Sequence, residues 1–125
     1  MTDCVFCDII AGSHPAQVVF SDDVAMGFLD ARPVFKGHVL VVPLTHYITL
    51  ADLPEDLVGP LFTRVRRVSA AMPPALGAQG SFVGENNVVS QSVPHLHVHV
   101  VPRTKYADEA EAADYARRLR EVLSA

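Results

Sequence analysis

Apolar positions follow two different periods along this chain, and the switches between them mark out its elements. Val5, Phe6, Ile9 and Ile10 recur at helical spacing until Gly12-Ser13-His14-Pro15 interrupts them, which predicts a short N-terminal helix. Val18-Val19-Phe20 and Val24 to Leu29 flank the polar Ser21-Asp22-Asp23 and predict a hairpin, closed by Asp30-Ala31-Arg32-Pro33. Gly37 opens a strand over His38-Val39-Leu40-Val41-Val42, ended by Pro43, with His38, Leu40 and Val42 on one face. From Asp52 to about Ala71, Leu57, Leu61, Val65 and Val68 form the apolar stripe of the main helix. Asp52 with Glu55 reads as its capping box, Pro54 falls in its first turn, and Pro73-Pro74 with Gly77 are expected to break it. Ser81-Phe82-Val83 predicts a strand leading into Gly84-Glu85-Asn86-Asn87, and His95 to Val101 predicts another, bounded by Pro94 and Pro102. Ala107 to Leu123, rich in Ala, Glu, Arg and Leu, predicts a terminal helix. Neighbours that pair antiparallel dominate this order, so the expected class is α+β: an antiparallel sheet of about five strands with one main helix, a short N-terminal helix and a C-terminal helix.

Length and charge narrow the picture. Residues 1–125 are expected to form one domain, and with half of them hydrophobic and 19% charged there is enough apolar material for a packed core. Ten Lys plus Arg against fourteen Asp plus Glu leave a net charge of −4, so nucleic acid is a poor partner. Arg64, Arg66 and Arg67, the densest basic cluster before the C-terminus, are read as a solvated helix face. The absence of Trp and the presence of only three Tyr leave few platforms for stacking single strands. No apolar run approaches the 18 or so residues of a membrane span and the start lacks a charged-then-apolar leader, so no membrane partner and a cytoplasmic address are expected.

Two clusters carry the candidate chemistry. In His95-Leu96-His97-Val98-His99-Val100-Val101 a strand's alternation places all three imidazoles on one face, roughly 6.5–7 Å apart, with Leu96, Val98 and Val100 behind them. A phosphoryl centre repels anionic nucleophiles, whereas neutral imidazole attacks it near pH 7. His97, shielded on both sides, is the candidate nucleophile, provided a backbone carbonyl holds the proton on its other nitrogen; an open metal-hydrolase site built on alternating histidines is the competing reading. Ser90-Gln91-Ser92 bring backbone N–H groups and two hydroxyls close to the same strand, or serve as turn residues. Cys4 and Cys7 lie one helical turn apart. A redox pair would follow a strand, and nothing strand-like can precede residue 4, so zinc is the better reading, and it needs two further ligands.

These segments together resemble the histidine-triad (HIT) family of nucleotide hydrolases and transferases. Its signature, His-φ-His-φ-His-φ-φ with φ hydrophobic, is filled at every position. Cys4-Val5-Phe6-Cys7, Phe28-Leu29-Asp30 with Arg32-Pro33, Gly37 to Pro43 with His46, and Ser90-Gln91-Ser92-Val93 look like family segments in family order, over about residues 4 to 103. The resemblance implies a covalent nucleotidyl-His97, donation to the phosphate by His99, and a supporting fourth histidine at His38. It further implies that Asp30 binds the ribose diol, Ser92 contacts the leaving-group side, and Ser90, Gln91 and Asn86 lie around the phosphate. Relatives often carry a polar amide where Gly84 stands here, which leaves the register of Asn86 open. In zinc-containing members the remaining ligands correspond to His46 and His95, giving with Cys4 and Cys7 one closed, structural Zn2+ per chain. A two-fold homodimer, joined through a helix and a strand edge, is also implied. Arg103-Thr104-Lys105-Tyr106 joins the terminal helix almost directly, where many relatives have a longer loop.

The expected function is hydrolysis at the α-phosphorus of a purine nucleoside phosphoramidate or dinucleoside polyphosphate, releasing a nucleoside monophosphate. A nucleotidyl transferase and a non-catalytic nucleotide-binding module are the alternatives.

Overall fold

The computed structural model describes residues 2–103 and 112–124. Its elements are α1 (Val5–Ala11), β1 (Val18–Ser21), β2 (Ala25–Leu29), β3 (Val39–Pro43), a 3-10 turn (Leu50–Asp52), α2 (Glu55–Leu76), β4 (Gly80–Gly84), β5 (Val98–Arg103) and α3 (Ala112–Leu123). The strands form one five-stranded sheet in the order β1-β2-β3-β5-β4, antiparallel at every pairing. This is the α+β architecture expected from the pattern, with three α-helices on five strands.

Both central strands are buried along their whole length, so each face of the sheet must be covered. On one face Val39, Val41, Leu96, Val98 and Val100 pack with Leu61, Val65, Val68 and Met72 of α2 and with Tyr115 and Leu119 of α3. On the other, Phe6 and Ile9 of α1 meet Met26, Phe28, Leu40 and Val42. A seven-residue helix is too short to persist alone. Burial of Phe6 and Ile9, about 1.5–3 kcal/mol each, is what docks α1. Gly12, left-handed at φ 83°, then ends it and returns its N–H to Ile9.

Three boundaries differ from expectation. α2 runs through Pro73 and Pro74 and stops only at Gly77, which adopts φ 70°. Met72, Ala75 and Leu76 are buried in that last turn, and their burial outweighs the two missing N–H donors. At its start, Pro54 is the N-cap, and the capping box lies one element earlier, where Asp52 accepts from the N–H and hydroxyl of Thr49. β5 begins at Val98 because the register places Pro43, which has no N–H, opposite Leu96; Leu96 donates to the Tyr47 carbonyl instead. β5 continues through Pro102 to Arg103, past the last β3 pair, Val39 with Val100, where a missing N–H breaks no bond to β3. The expected helix positions 107–111 lie outside the described residues. Among the described residues no helix is long and apolar enough to cross a membrane. Of the three arginines on α2, Arg66 is exposed, whereas Arg64 pairs with Asp22 at 2.9 Å and Arg67 donates to the Leu123 carbonyl.

Candidate active site

β5 and its lead-in deliver the three histidines beneath α1. The edge of the Phe6 ring meets His97 at 5.0 Å between centroids and His95 at 5.9 Å, while Phe28 backs Phe6 at 5.4 Å. His95 and His97 are buried and His99 is half-buried.

Each ring's hydrogen-bond partners assign its proton. A backbone carbonyl only accepts, so His97 carries its proton on Nδ1, donated to the His95 carbonyl at 2.7 Å, and its Nε2 lone pair is free. His95 has the opposite tautomer: Nε2–H donates to the Pro43 carbonyl at 3.0 Å, and the Nδ1 lone pair faces the cysteines. His99 belongs to a relay. The Val34 N–H donates to His38 Nδ1 at 3.2 Å, which leaves the His38 proton on Nε2. That proton is donated to His99 Nδ1 at 2.9 Å, so neutral His99 presents Nε2–H. Burial is the largest influence holding His38, His95 and His99 below the ordinary imidazole range, and the charge of His97 adds to it at all three. The result is a neutral lone pair on His97 beside a donor on His99, with ring centroids 4.9 Å apart.

A cavity of about 830 Å³ opens beside His97, lined by Val5, Phe6 and Ile9 of α1, by Phe28, Leu29 and Asp30, and by Ser92. Asp30 is both a turn residue and a wall of this cavity: Oδ1 accepts from the Arg32 N–H at 2.9 Å, and Oδ2 lies 3.7 Å from His38 Nε2. The structure therefore brings together His97, His99, His38, Asp30 and Ser92. It does not bring Asn86, Ser90 or Gln91 to this cavity's wall. The Gln91 amide is engaged with the Ile48 carbonyl and the Val88 N–H, and Asn87 accepts from Leu50, so the loop before the triad is pinned to residues 48–50. Val88 and Ser90 there adopt φ 66° and 62°, a left-handed backbone that those tethers sustain.

Cys4, Cys7, His46 and His95 form a second cluster, with ligand atoms all within 4.8 Å of one another. The Cys4 sulfur lies 3.4 Å from His95 Nδ1, and the Cys7 sulfur lies 3.3 Å from His46 Nδ1 and 3.5 Å from His95 Nδ1. Tetrahedral zinc with these donors separates them by roughly 3.3–3.8 Å, so the residues fit such an ion. Burial, then Cys4, pushes the Cys7 thiol up to about 11; a bound cation reverses that preference. Phe6 and the Pro43 carbonyl carry positioning roles that the sequence pattern does not mark.

The fold and the paired clusters define a histidine-triad protein, and the HIT domain family model matches residues 11–106. The chain belongs to the HIT family. It is 36% identical over 118 residues to adenylylsulfatase HINT3 of Arabidopsis thaliana, covering 93% of this chain and 59% of that enzyme. It is 37% identical over 98 residues to the asymmetrical bis(5'-nucleosyl)-tetraphosphatase of Schizosaccharomyces pombe, covering 77% and 53%. A zinc-bound histidine triad protein of Mycobacterium smegmatis superposes with a TM-score of 0.89 at 34% identity, covering 98% of this chain and 94% of that one.

Proposed function

We propose that the protein is a hydrolase acting at the α-phosphorus of a purine nucleoside phosphoramidate or dinucleoside polyphosphate, by way of a nucleotidyl-His97. The observation that carries this reading is the opposed tautomers of His97 and His99: a free Nε2 lone pair just before β5 beside an Nε2–H donor on it. The nucleoside occupies the cavity under α1, with its ribose diol on Asp30. The enzymes HINT3 and the tetraphosphatase, as their names state, act on nucleotides, which supports this substrate class.

In the first step the His97 Nε2–P bond forms and the bond from phosphorus to the leaving group breaks. The leaving atom keeps the electron pair and takes a proton drawn from solvent through Ser92. His99 Nε2–H donates to a phosphoryl oxygen, whose charge grows in the transition state. In the second step water attacks, the P–Nε2 bond breaks, and the borrowed proton returns to solvent with the release of nucleoside monophosphate. The His97 Nδ1–H bond to the His95 carbonyl stabilises the imidazolium between the two steps.

Cys4, Cys7, His46 and His95 would hold zinc, which supplies a structural cross-link between α1, the segment after β3 and the triad strand. His95 then serves the metal through Nδ1 and the nucleophile through its carbonyl. His97→Ala should lower turnover by several orders of magnitude while nucleotide binding persists. Near-normal turnover in that variant would refute the mechanism.

A further inference from the structure

A metal donor is only as well placed as the backbone that carries it, and Cys4 is the N-cap of α1, whose seven residues are too few to order it by helix formation alone. Its sulfur accepts from the Cys7 N–H at 3.3 Å and its carbonyl from the Asp8 N–H at 3.0 Å, so both bonds hold it from the helix side. Residues 2 and 3 on its other side belong to no helix or strand. There the Cys4 N–H donates to Thr2 Oγ1 at 3.1 Å. Thr2 is exposed, and Asp8 holds it in turn: Oδ1 accepts from the Thr2 N–H at 2.7 Å and from the Thr2 hydroxyl at 3.0 Å. The hydroxyl has one proton and two acceptors in reach, Asp8 and the Cys4 carbonyl at 3.0 Å, and the carboxylate is the stronger. Residues 2 to 8 therefore close on themselves through one carboxylate oxygen, with a metal donor inside the loop.

Asp8 is itself 3% exposed, a depth at which a carboxylate is costly unless hydrogen bonds compensate it. Among the described residues its side-chain hydrogen bonds go to Thr2, and none goes to a sulfur or imidazole of the metal cluster. We propose that Asp8 is a positioning residue for the Cys4, Cys7, His46 and His95 cluster, acting through Thr2 to aim Cys4 and so to retain an ion it does not touch. Its role rests on the reading of that cluster as a zinc site and adds a residue that governs how tightly the ion is held. Metal ligands are commonly oriented by a polar partner one step further out, and for His95 that partner is the Pro43 carbonyl at 3.0 Å. For Cys4 it is the Thr2–Asp8 pair. With the pair in place Cys4 is ordered before the ion arrives; without it the ordering accompanies binding, and affinity falls. Direct attraction between the carboxylate and the cation is a different mechanism, and substitution separates the two. Asparagine keeps an acceptor for the Thr2 N–H and hydroxyl but loses the charge.

The test measures the zinc Kd by competition with a chromophoric chelator, and Co2+ uptake by the absorption of its thiolate complex. Asp8→Ala and Thr2→Val should each raise the zinc Kd by about 10- to 100-fold, the usual cost of losing an outer partner of a metal ligand. Thr2→Ser, which keeps the hydroxyl, and Asp8→Asn, which keeps the acceptor, should stay close to the wild type. Because the two residues act along one chain of bonds, the double variant Thr2→Val/Asp8→Ala should bind no more weakly than Asp8→Ala alone. The urea midpoint of Thr2→Val should fall more in the zinc-loaded protein than in the metal-free one, a difference that loss of packing alone would not produce. An unchanged Kd in either Asp8→Ala or Thr2→Val, or additive losses in the double variant, would overturn the assignment. Asp8→Asn binding as weakly as Asp8→Ala would also overturn it, in favour of direct attraction of charge. If the wild type takes up neither zinc nor Co2+, the reading of the cluster fails first and the role of Asp8 fails with it.

Discussion

Replacing Phe6 by leucine separates the packing of the site from its chemistry. The Phe6 ring is buried, and its edge contacts with Phe28 at 5.4 Å and His97 at 5.0 Å are the aromatic pairs leucine cannot make. Each such pair is worth about 0.5–1.5 kcal/mol beyond area, and leucine retains most of the apolar burial, so the expected loss is about 2 kcal/mol. For a chain of this size that moves the urea midpoint down by about 1 M. The chemical consequence follows from how His97 is held. Its Nδ1–H bond to the His95 carbonyl fixes one edge of the ring and Phe6 packs against it from α1. With only the first restraint left, Nε2 is aimed less well, and single-turnover rates should fall by about tenfold at saturating nucleotide. Equilibrium unfolding and single-turnover kinetics on the same preparation check both numbers. A destabilised variant with unchanged single-turnover rate would show that Phe6 is core alone, and an unchanged urea midpoint would refute the packing account.

Two further outcomes follow from the same geometry. Protein purified without chelator should carry about one zinc per chain, Cys4→Ala should lose most of it, and its removal should lower the urea midpoint more than it lowers turnover per folded molecule, as metal analysis beside activity will show. Burial holds His38 below its unfolded value, so the unfolded chain binds the extra proton; its contribution to stability is full above about pH 7 and declines as pH falls through the unfolded value near 6.5. Urea titrations between pH 7 and 5.5 should therefore show a shallower fall in stability for His38→Gln than for the wild type.

What the sequence disclosed, and what it withheld, divides along the line between side-chain pattern and backbone placement. The triad's alternation, with Leu96, Val98 and Val100 turned into the core behind it, was readable because strand period is local. The sheet, its helices and the family were readable for the same reason. The tautomers were not, since they depend on where the carbonyls of Pro43 and His95 fall after folding. Phe6 read only as an apolar helix position; nothing in Cys4-Val5-Phe6-Cys7 says its ring will meet a histidine 91 residues away. The resemblance alone put Asn86 and Gln91 around the phosphate; that the Gln91 amide ties its loop to the Ile48 carbonyl and the Val88 N–H depends on how the loop folds and is not written in its residue types. Pro73-Pro74 misled because propensity predicts a stop where the burial of Met72, Ala75 and Leu76 sustains another turn.

The central claim is a bond from phosphorus to one nitrogen atom, and the most direct measurement is to catch it. Acid-sensitive adducts call for an alkaline quench of enzyme turning over an adenosine phosphoramidate, followed by proteolysis and mass analysis of the peptide that holds the triad. The account predicts the mass of an adenylyl group on the peptide containing His97, localised to that residue by fragmentation and absent from His97→Ala. Turnover with no adduct at any time, or an adduct localised to His95 or His99, would contradict it.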